Sequence, residues 1–255
     1  MELAGAVIAV TGGSRGFGFA IAQHLVQAGA RVGLIGRSAD SLAAAVAELG
    51  DENVVSVVAD VGKKAEIAAA LESIHAHFGQ LDALVNNAGV ARPNAIEKLN
   101  EEEVVLQLNT NFLGTVFACQ AAIPLLRAAP EPRIINMSSA SAWHYDEMSH
   151  LSIYAASKAA VERFSRDLRE ELQPDNIGVT CLRPGGAWTT FAQGWDEQAL
   201  KAGLEAWHGS GPHMDTGMEV DQVAAAVVYC LQQPAGVAVD LLELRPNQLS
   251  PKLTW

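Results

Sequence analysis

Short β-branched runs alternate along the chain with longer alanine-rich stretches whose apolar positions recur at helical spacing. The runs at 6–10, 31–35, 53–58, 81–85, 133–136, 177–182 and 238–243 predict strands. The stretches between them predict helices over 16–28, 39–49, 63–78, 101–128, 154–172 and 220–232. Strands apolar on both faces, each followed by a helix, imply a parallel sheet covered on both sides. The expected fold class is therefore α/β. It is a doubly wound parallel sheet of about seven strands with helices on both faces, in a single domain over 1–255.

Two segments break the alternation. Residues 188–217, rich in Gly, Trp and His, have no clear period and are expected to form a lid over a site. Asn100-Glu101-Glu102-Glu103 looks like a carboxylate cluster, but it reads better as a capping box, with Asn100 at the N-cap and Glu103 three residues on.

Composition narrows the function. A chain of 255 residues can bury a core without disulfides or metals. Lys and Arg total 17 against 29 Asp and Glu, a net charge of −12. That sign argues against nucleic acid as a partner and against adhesion to anionic membranes. Cys119, Cys181 and Cys230 are odd in number and far apart, which suggests neither a disulfide framework nor a zinc ribbon. No apolar run reaches the length of a membrane span, and the first ten residues carry Glu2 and no basic segment. Neither an anchor nor a signal peptide is expected, and the expected location is cytoplasmic. His75 and His77 face different ways on a helix, and His24, His150, His208 and His213 lack acidic or cysteine partners at ligand spacing, so no metal is expected.

The first strand ends in Thr11-Gly12-Gly13-Ser14-Arg15-Gly16-Phe17-Gly18, directly before a helix. Gly12 permits the tight turn, Gly16 lets backbone approach a pyrophosphate at the helix N-terminus, and Gly18 allows that helix to sit close on the sheet. The spacing is T-G-x-x-x-G-x-G rather than G-x-G-x-x-G. With it, the chain resembles the short-chain dehydrogenase/reductase family from Gly5 to about Glu243. Further motifs follow in order: Asp60-Val61, Asn86-Asn87-Ala88-Gly89, Asn111-Phe112-Leu113-Gly114, Ser138-Ser139, Tyr154-x-x-x-Lys158 and Pro184-Gly185-x-x-x-Thr189.

The resemblance implies a Rossmann-type fold, a nicotinamide dinucleotide and a set of site residues. Gly12, Ser14, Arg15, Gly16, Phe17 and Gly18 would hold the pyrophosphate end. Asp60, Val61, Asn87, Ala88 and Gly89 would line the adenine and ribose side. Pro184, Gly185, Ala187 and Thr189 would meet the carboxamide. Ala187 stands where the family usually has a branched residue, but the contact there is made by backbone. At the end of the second strand, Arg37-Ser38 stands where an NAD-specific site puts an acid. Arg37 and Arg15 can fork onto a 2′-phosphate, which favours NADP(H).

Tyr154 and Lys158 are four apart on a helix, so both emerge on one face. A phenol is a poor acid–base catalyst near neutrality, and an adjacent ammonium corrects that by favouring the phenolate. By resemblance, Lys158 and Tyr154 also contact the cofactor, Ser139 bonds the substrate oxygen, and Asn111 fixes a water in a proton relay from Lys158. Ser139 is preferred to Ser138 because the family's serine directly follows the strand-end pair. The expected activity is NADPH-dependent reduction of a ketone or aldehyde, with Asn111, Ser139, Tyr154 and Lys158 as the catalytic set. A 3-oxoacyl carrier-protein reductase is the nearest alternative. A non-catalytic NADP(H)-sensing protein is the alternative of another class, although such proteins tend to lose Tyr or Lys.

Candidate substrate contacts are Ser141, His144, Tyr145, Trp188, Phe191 and Trp195. The stretch from Ser139 to Tyr154 is a little longer than is usual in the family, so His144 and Tyr145 either touch substrate or form a solvated tip. Trp188, Phe191, Trp195 and Trp207 either cover an apolar ketone or anchor the lid. Reductases acting on carrier protein present basic residues before the fifth strand and after the catalytic helix. Here those places read Ala128-Ala129-Pro130-Glu131 and Gln173-Pro174-Asp175-Asn176, which favours a free lipophilic ketone. A homodimer or homotetramer is implied by the resemblance.

Overall fold

The computed structural model describes residues 1–255 except 145–149, 188, 190, 193, 211–213, 216, 248 and 251–255. Its first half runs β1 (Val7–Thr11), α1 (Gly16–Gln27), β2 (Arg31–Gly36), α2 (Ala39–Leu49), β3 (Val54–Val58), α3 (Lys64–Phe78) and β4 (Ala83–Asn86). It continues through α4 (Glu101–Leu108), α5 (Gly114–Leu126), β5 (Arg133–Met137), α6 (Ser152–Glu171) and β6 (Gly178–Pro184). The last part holds α7 (Glu197–Ser210), β7 (Met214–Asp215), α8 (Val220–Leu231), β8 (Leu241–Leu244) and β9 (Leu249–Ser250).

Seven strands form one parallel sheet in the order β3-β2-β1-β4-β5-β6-β8, as the alternation predicts. Successive side chains of β1 divide between two cores. Ile8 and Val10 join Ile21 and Leu25 of α1 and Val227 and Leu231 of α8, while Val7 and Ala9 join Ile67, Leu71 and Ile74 of α3 and Leu126 of α5. A side chain at Gly33 would strike Ile74 at 2.5 Å, so this glycine sets how closely α3 lies on the sheet. The chain order reverses between β1 and β4, and the crevice beyond the strand ends at such a reversal is where ligands bind in open α/β sheets.

Four expectations need correction. The helix predicted over 101–128 is broken by a π-helical turn at Asn109–Leu113, because the Asn111 carboxamide is pinned to a neighbouring loop. The last strand starts at Leu241 rather than at 238, because Pro234 and Gly236 hold a turn ahead of it and the Asp240 carboxylate is tied to Arg169. Residues 188–217 are not aperiodic throughout: α7 occupies Glu197–Ser210, started by Asp196, whose carboxylate accepts from Ala199 N–H at 2.8 Å. At Asn100 only the forward half of the capping box forms among the described residues, the side chain accepting from Glu103 N–H at 2.8 Å. No described helix is long and apolar enough to cross a membrane.

Candidate active site

At the reversal point β1 hands over to the glycine turn, and Thr11 stitches that turn to the loop after β4. The Thr11 hydroxyl accepts N–H bonds from Asn87 and Ala88, each at 3.0 Å. The Asn87 amide returns the link, donating to the carbonyls of Thr11 at 3.0 Å and Gly12 at 3.3 Å. Gly12 and Gly16 sit at φ 64° and 53°, where a side chain would be strained. A Cβ on Gly18 would lie 2.1 Å from the Gly12 carbonyl oxygen, so only glycine lets α1 start this close to β1. The N-cap residue Arg15 makes no side-chain capping bond to α1, which leaves the first N–H groups of the helix facing the turn.

The segment after β6 closes over the same turn. A Cβ on Gly16 would meet nothing nearer than the Thr189 Cβ at 4.0 Å. That segment is held from behind, with Gly185 N–H on the Leu244 carbonyl at 2.8 Å and Ala187 bridged to Met218. Asp60 accepts from Gly62 N–H at 2.9 Å, and buried Val61 packs where a side chain at Gly114 would be. Ser14 is half-buried, and Arg15 and Arg37 are exposed beyond the ends of β1 and β2. The Ser38 hydroxyl is used as the N-cap of α2, accepting from Ser41 N–H at 3.2 Å.

The chemical end lies beyond β5. Lys158 is 3% exposed, its ammonium donates to the Met137 carbonyl at 2.7 Å, and it sits 5.9 Å from the Tyr154 ring centroid on the same face of α6. Burial pushes the Lys158 ammonium down to about 8, against a small opposing effect from Cys181. Asn111 is fully buried. Its amide donates to the Val90 carbonyl at 2.8 Å and to the Ser157 hydroxyl at 3.0 Å, and its oxygen accepts from Val90 N–H at 2.8 Å. Asn111 and Lys158 converge on Gly89, where a Cβ would lie 3.5 Å from both the Asn111 oxygen and the Lys158 nitrogen. The Ser139 hydroxyl, half-buried at the end of β5, accepts from the Ser141 hydroxyl at 2.9 Å and the Ser141 N–H at 3.3 Å.

An aromatic row leads away from Tyr154. Phe191 lies 5.4 Å from its ring centroid and Trp195 a further 5.8 Å on. Among the described residues the buried Trp195 indole N–H has no hydrogen-bond partner. His144 is engaged by Glu243, its Nε2 lying 2.7 Å from a carboxylate oxygen. The expectations for Tyr145 and Trp188 lie outside the described residues. Sequence reasoning weighed Ser138 only as a rival to Ser139 and missed Glu162, Arg183 and Glu243, which form with it a hydrogen-bonded charged chain beside the site. Their only sequence signal is adjacency to the motifs. Among the described residues no group of three or more His, Cys, Asp or Glu could hold a metal ion.

The short chain dehydrogenase family profile matches residues 6–200. The chain belongs to the short chain dehydrogenase family. This dehydrogenase-family chain is 32% identical over 228 residues to the 3-oxoacyl-[acyl-carrier-protein] reductase of Bos taurus, covering 89% of this chain and 92% of that one. Among solved structures, it superposes on a 3-ketoacyl-(acyl-carrier-protein) reductase from Brucella melitensis complexed with NADH, with TM-score 0.84, 26% identity and 96% and 98% of the two chains covered. It also superposes on an alcohol dehydrogenase from the archaeon Thermococcus sibiricus complexed with 5-hydroxy-NADP, with TM-score 0.80, 28% identity and 97% and 99% covered. The chain is thus an oxidoreductase of this family.

Proposed function

We propose that this oxidoreductase reduces a ketone or aldehyde to an alcohol, reversibly, with NADP(H) as cofactor. The observation that carries the reading is Tyr154 one helical turn from a buried Lys158, with Asn111 beside that lysine. The residues present fit a dinucleotide. The positive-φ glycines of the turn and the start of α1, on which Arg15 at the N-cap places no side-chain hydrogen bond, form a cradle, and a side chain at Gly16 would already reach Thr189 at contact distance. Gly12, Gly16 and Gly18 would hold its pyrophosphate, Arg15 and Arg37 its 2′-phosphate, Asp60, Val61 and Asn87–Gly89 its adenosine side, and Pro184, Gly185, Ala187 and Thr189 its carboxamide. When bound, it supplies or accepts hydride at the nicotinamide C4.

The chain's own residues carry the proton chemistry. The Ser139 hydroxyl orients the carbonyl oxygen, and the Tyr154 phenol donates its proton there in reduction and takes it back in oxidation. The Lys158 ammonium favours the phenolate left behind, and Asn111, fixed by Val90, keeps the relay behind Lys158 in register.

For substrate we favour a free lipophilic or aromatic ketone under a cover formed by 188–217, against the row Tyr154–Phe191–Trp195. Similarity to reductases of carrier-bound 3-oxoacyl groups supports the second reading. Against it, Ala128–Glu131 and Gln173–Asn176 lie at the far end of α6 from Tyr154, and nearby Arg127 is paired to Asp175 at 2.9 Å. We read the chain as one domain, cytoplasmic, assembling as a homodimer or homotetramer.

The test follows NADPH absorbance with acetophenone, cyclohexanone and an acetoacetyl group on carrier protein, at low and moderate salt. Higher kcat/KM for a free ketone is the expected result. A markedly higher value for the carrier-bound substrate, falling as salt rises, overturns the substrate reading. No turnover of any of the three overturns the reductase reading itself.

A further inference from the structure

A chain of buried and half-buried charged groups runs beside the site, and three of its members adjoin site residues in sequence. Ser138 immediately precedes Ser139, Glu162 lies one helical turn past Lys158, and Arg183 immediately precedes Pro184-Gly185. The Ser138 hydroxyl donates to Glu162 at 2.7 Å. Glu162 in turn is gripped by the Arg183 fork, Nε at 2.8 Å on one oxygen and Nη2 at 2.5 Å on the other. The remaining Arg183 nitrogen, Nη1, donates to Glu243 at 2.6 Å, and the other Glu243 oxygen meets His144 at 2.7 Å. The Trp143 ring covers the guanidinium at 5.7 Å. Arg183 is 7% exposed. The chain thus joins the segment after β5, α6, β6 and β8 through one planar cation.

Stability alone is a poor reason to keep such a chain. Desolvating a cation and two carboxylates costs several kcal/mol per ion, and a well-packed apolar cluster is often as stable. The hydrogen bonds that Arg183 donates to Glu162 hold the guanidinium firmly charged despite burial. At Glu243 burial opposes ionisation, but the bonds from Arg183 and His144 outweigh it and keep the carboxylate below its usual range. What a bidentate fork supplies that an apolar cluster does not is a fixed angle between the elements it joins. Here those elements carry Ser139 on one side and Tyr154 and Lys158 on the other.

We propose that Glu162, clamped by Arg183, is a positioning residue that acts on Ser139 through the Ser138 hydroxyl. The clamp fixes where the end of β5 stands relative to α6, and so sets the Ser139 hydroxyl against the Tyr154 phenol. It touches no reacting atom. The inference rests on the reading of Ser139 and Tyr154 given above and adds the residues that hold them in register.

The experiment compares wild type with Ser138→Ala, Glu162→Gln and the double variant, well below their melting temperatures. The probe is acetophenone or cyclohexanone, whichever wild type reduces faster. Quenching of tryptophan fluorescence by NADPH gives the cofactor Kd separately from activity. Glu162→Gln puts an amide donor against the Arg183 fork, and Ser138→Ala removes only the hydroxyl. Each is expected to lower kcat roughly tenfold or more, because small misplacements of a catalytic group cost that much. KM and NADPH Kd should stay within about twofold, and the double variant should be no worse than the poorer single, since both act on the Ser138–Glu162 link, the shorter of the Ser138 hydroxyl's two contacts to α6. Folded variants with kcat within about twofold of wild type overturn the inference, as does a double variant whose losses multiply. If Glu162→Gln does not fold, Ser138→Ala decides alone by the same kcat criterion. Tyr154→Phe, run alongside, separates the two failures: if it keeps wild-type turnover, the catalytic reading falls and takes this inference with it.

Discussion

At the scale of single residues, the chemistry rests on groups whose surroundings change what they can do. Lys158 is the clearest case, since burial leaves its ammonium at about 8, near the working range of a proton relay. Tyr154→Phe should cut kcat by a factor on the order of a thousand or more, within the range expected for loss of general acid–base catalysis, while NADPH Kd and melting temperature barely move. Fluorescence titration beside steady-state kinetics checks both halves, and retained turnover would remove the phenol from the mechanism. Arg37 tests cofactor choice. It is exposed at the end of β2, where charge can meet a phosphate without a desolvation cost. Wild type should prefer NADPH in kcat/KM, and Arg37→Asp should lower that preference about tenfold or more, the worth of one charge-assisted contact. Equal use of NADH and NADPH by wild type would refute the assignment.

At the scale of elements, the π turn between α4 and α5 is the least ordinary feature. Helical hydrogen bonds widen at Asn109–Leu113, and the Asn111 carboxamide satisfies both backbone groups of Val90 in the loop after β4. Asn111→Ala should therefore lose stability as well as activity, by about 1–3 kcal/mol for the unpaired groups left behind. Urea denaturation measures this, and an unchanged midpoint would mean that Val90 finds other partners. The junction of β1 and α1 makes the opposite demand, for absence of a side chain. Gly18→Ala puts a methyl group 2.1 Å from the Gly12 oxygen in the turn and 2.6 Å from the Asn87 amide in the loop stitched to it. NADPH Kd should rise at least tenfold, an estimate based on a misplaced charge-assisted contact, and a lower melting temperature should accompany it.

At the scale of the whole molecule, buried ionisable groups shape the pH dependence of stability. Lys158 has a native value of about 8 against 10.5 for the free side chain. As pH rises past 8 the native state sheds this proton first, so the unfolded state binds more protons and stability rises with pH. Between pH 7 and 9 the gain is about 1 kcal/mol, and Lys158→Met should lack it. The three cysteines act in the other direction. Burial raises Cys119 and Cys181 to about 12 and Cys230 to about 11, so unfolded thiols ionise first above pH 9 and stability falls there. Urea midpoints across pH 7–11 should accordingly pass through a maximum near pH 9. An aromatic disulfide reagent at pH 8 should find all three thiols after denaturation and none promptly in the native protein.

The seven strands, their helices, the glycine turn and the Tyr154–Lys158 pair are legible in the sequence, because periodicity and motif spacing involve neighbours along the chain. Gly18 could be singled out for the same reason, since it and the carbonyl it must clear belong to one turn. The π turn at Asn111, the clamp on Glu162 and the hold of Glu243 on His144 were not legible. Each pairs residues far apart in sequence: 21 positions for Asn111 and Val90, 21 for Glu162 and Arg183, and 99 for His144 and Glu243. A lone histidine in an insertion or a lone arginine before Pro-Gly carries no mark of its partner. Local order fixes which elements form and which residues end each strand. The order in which strands lie side by side decides which of those ends meet, and only there does a charge find its counter-charge.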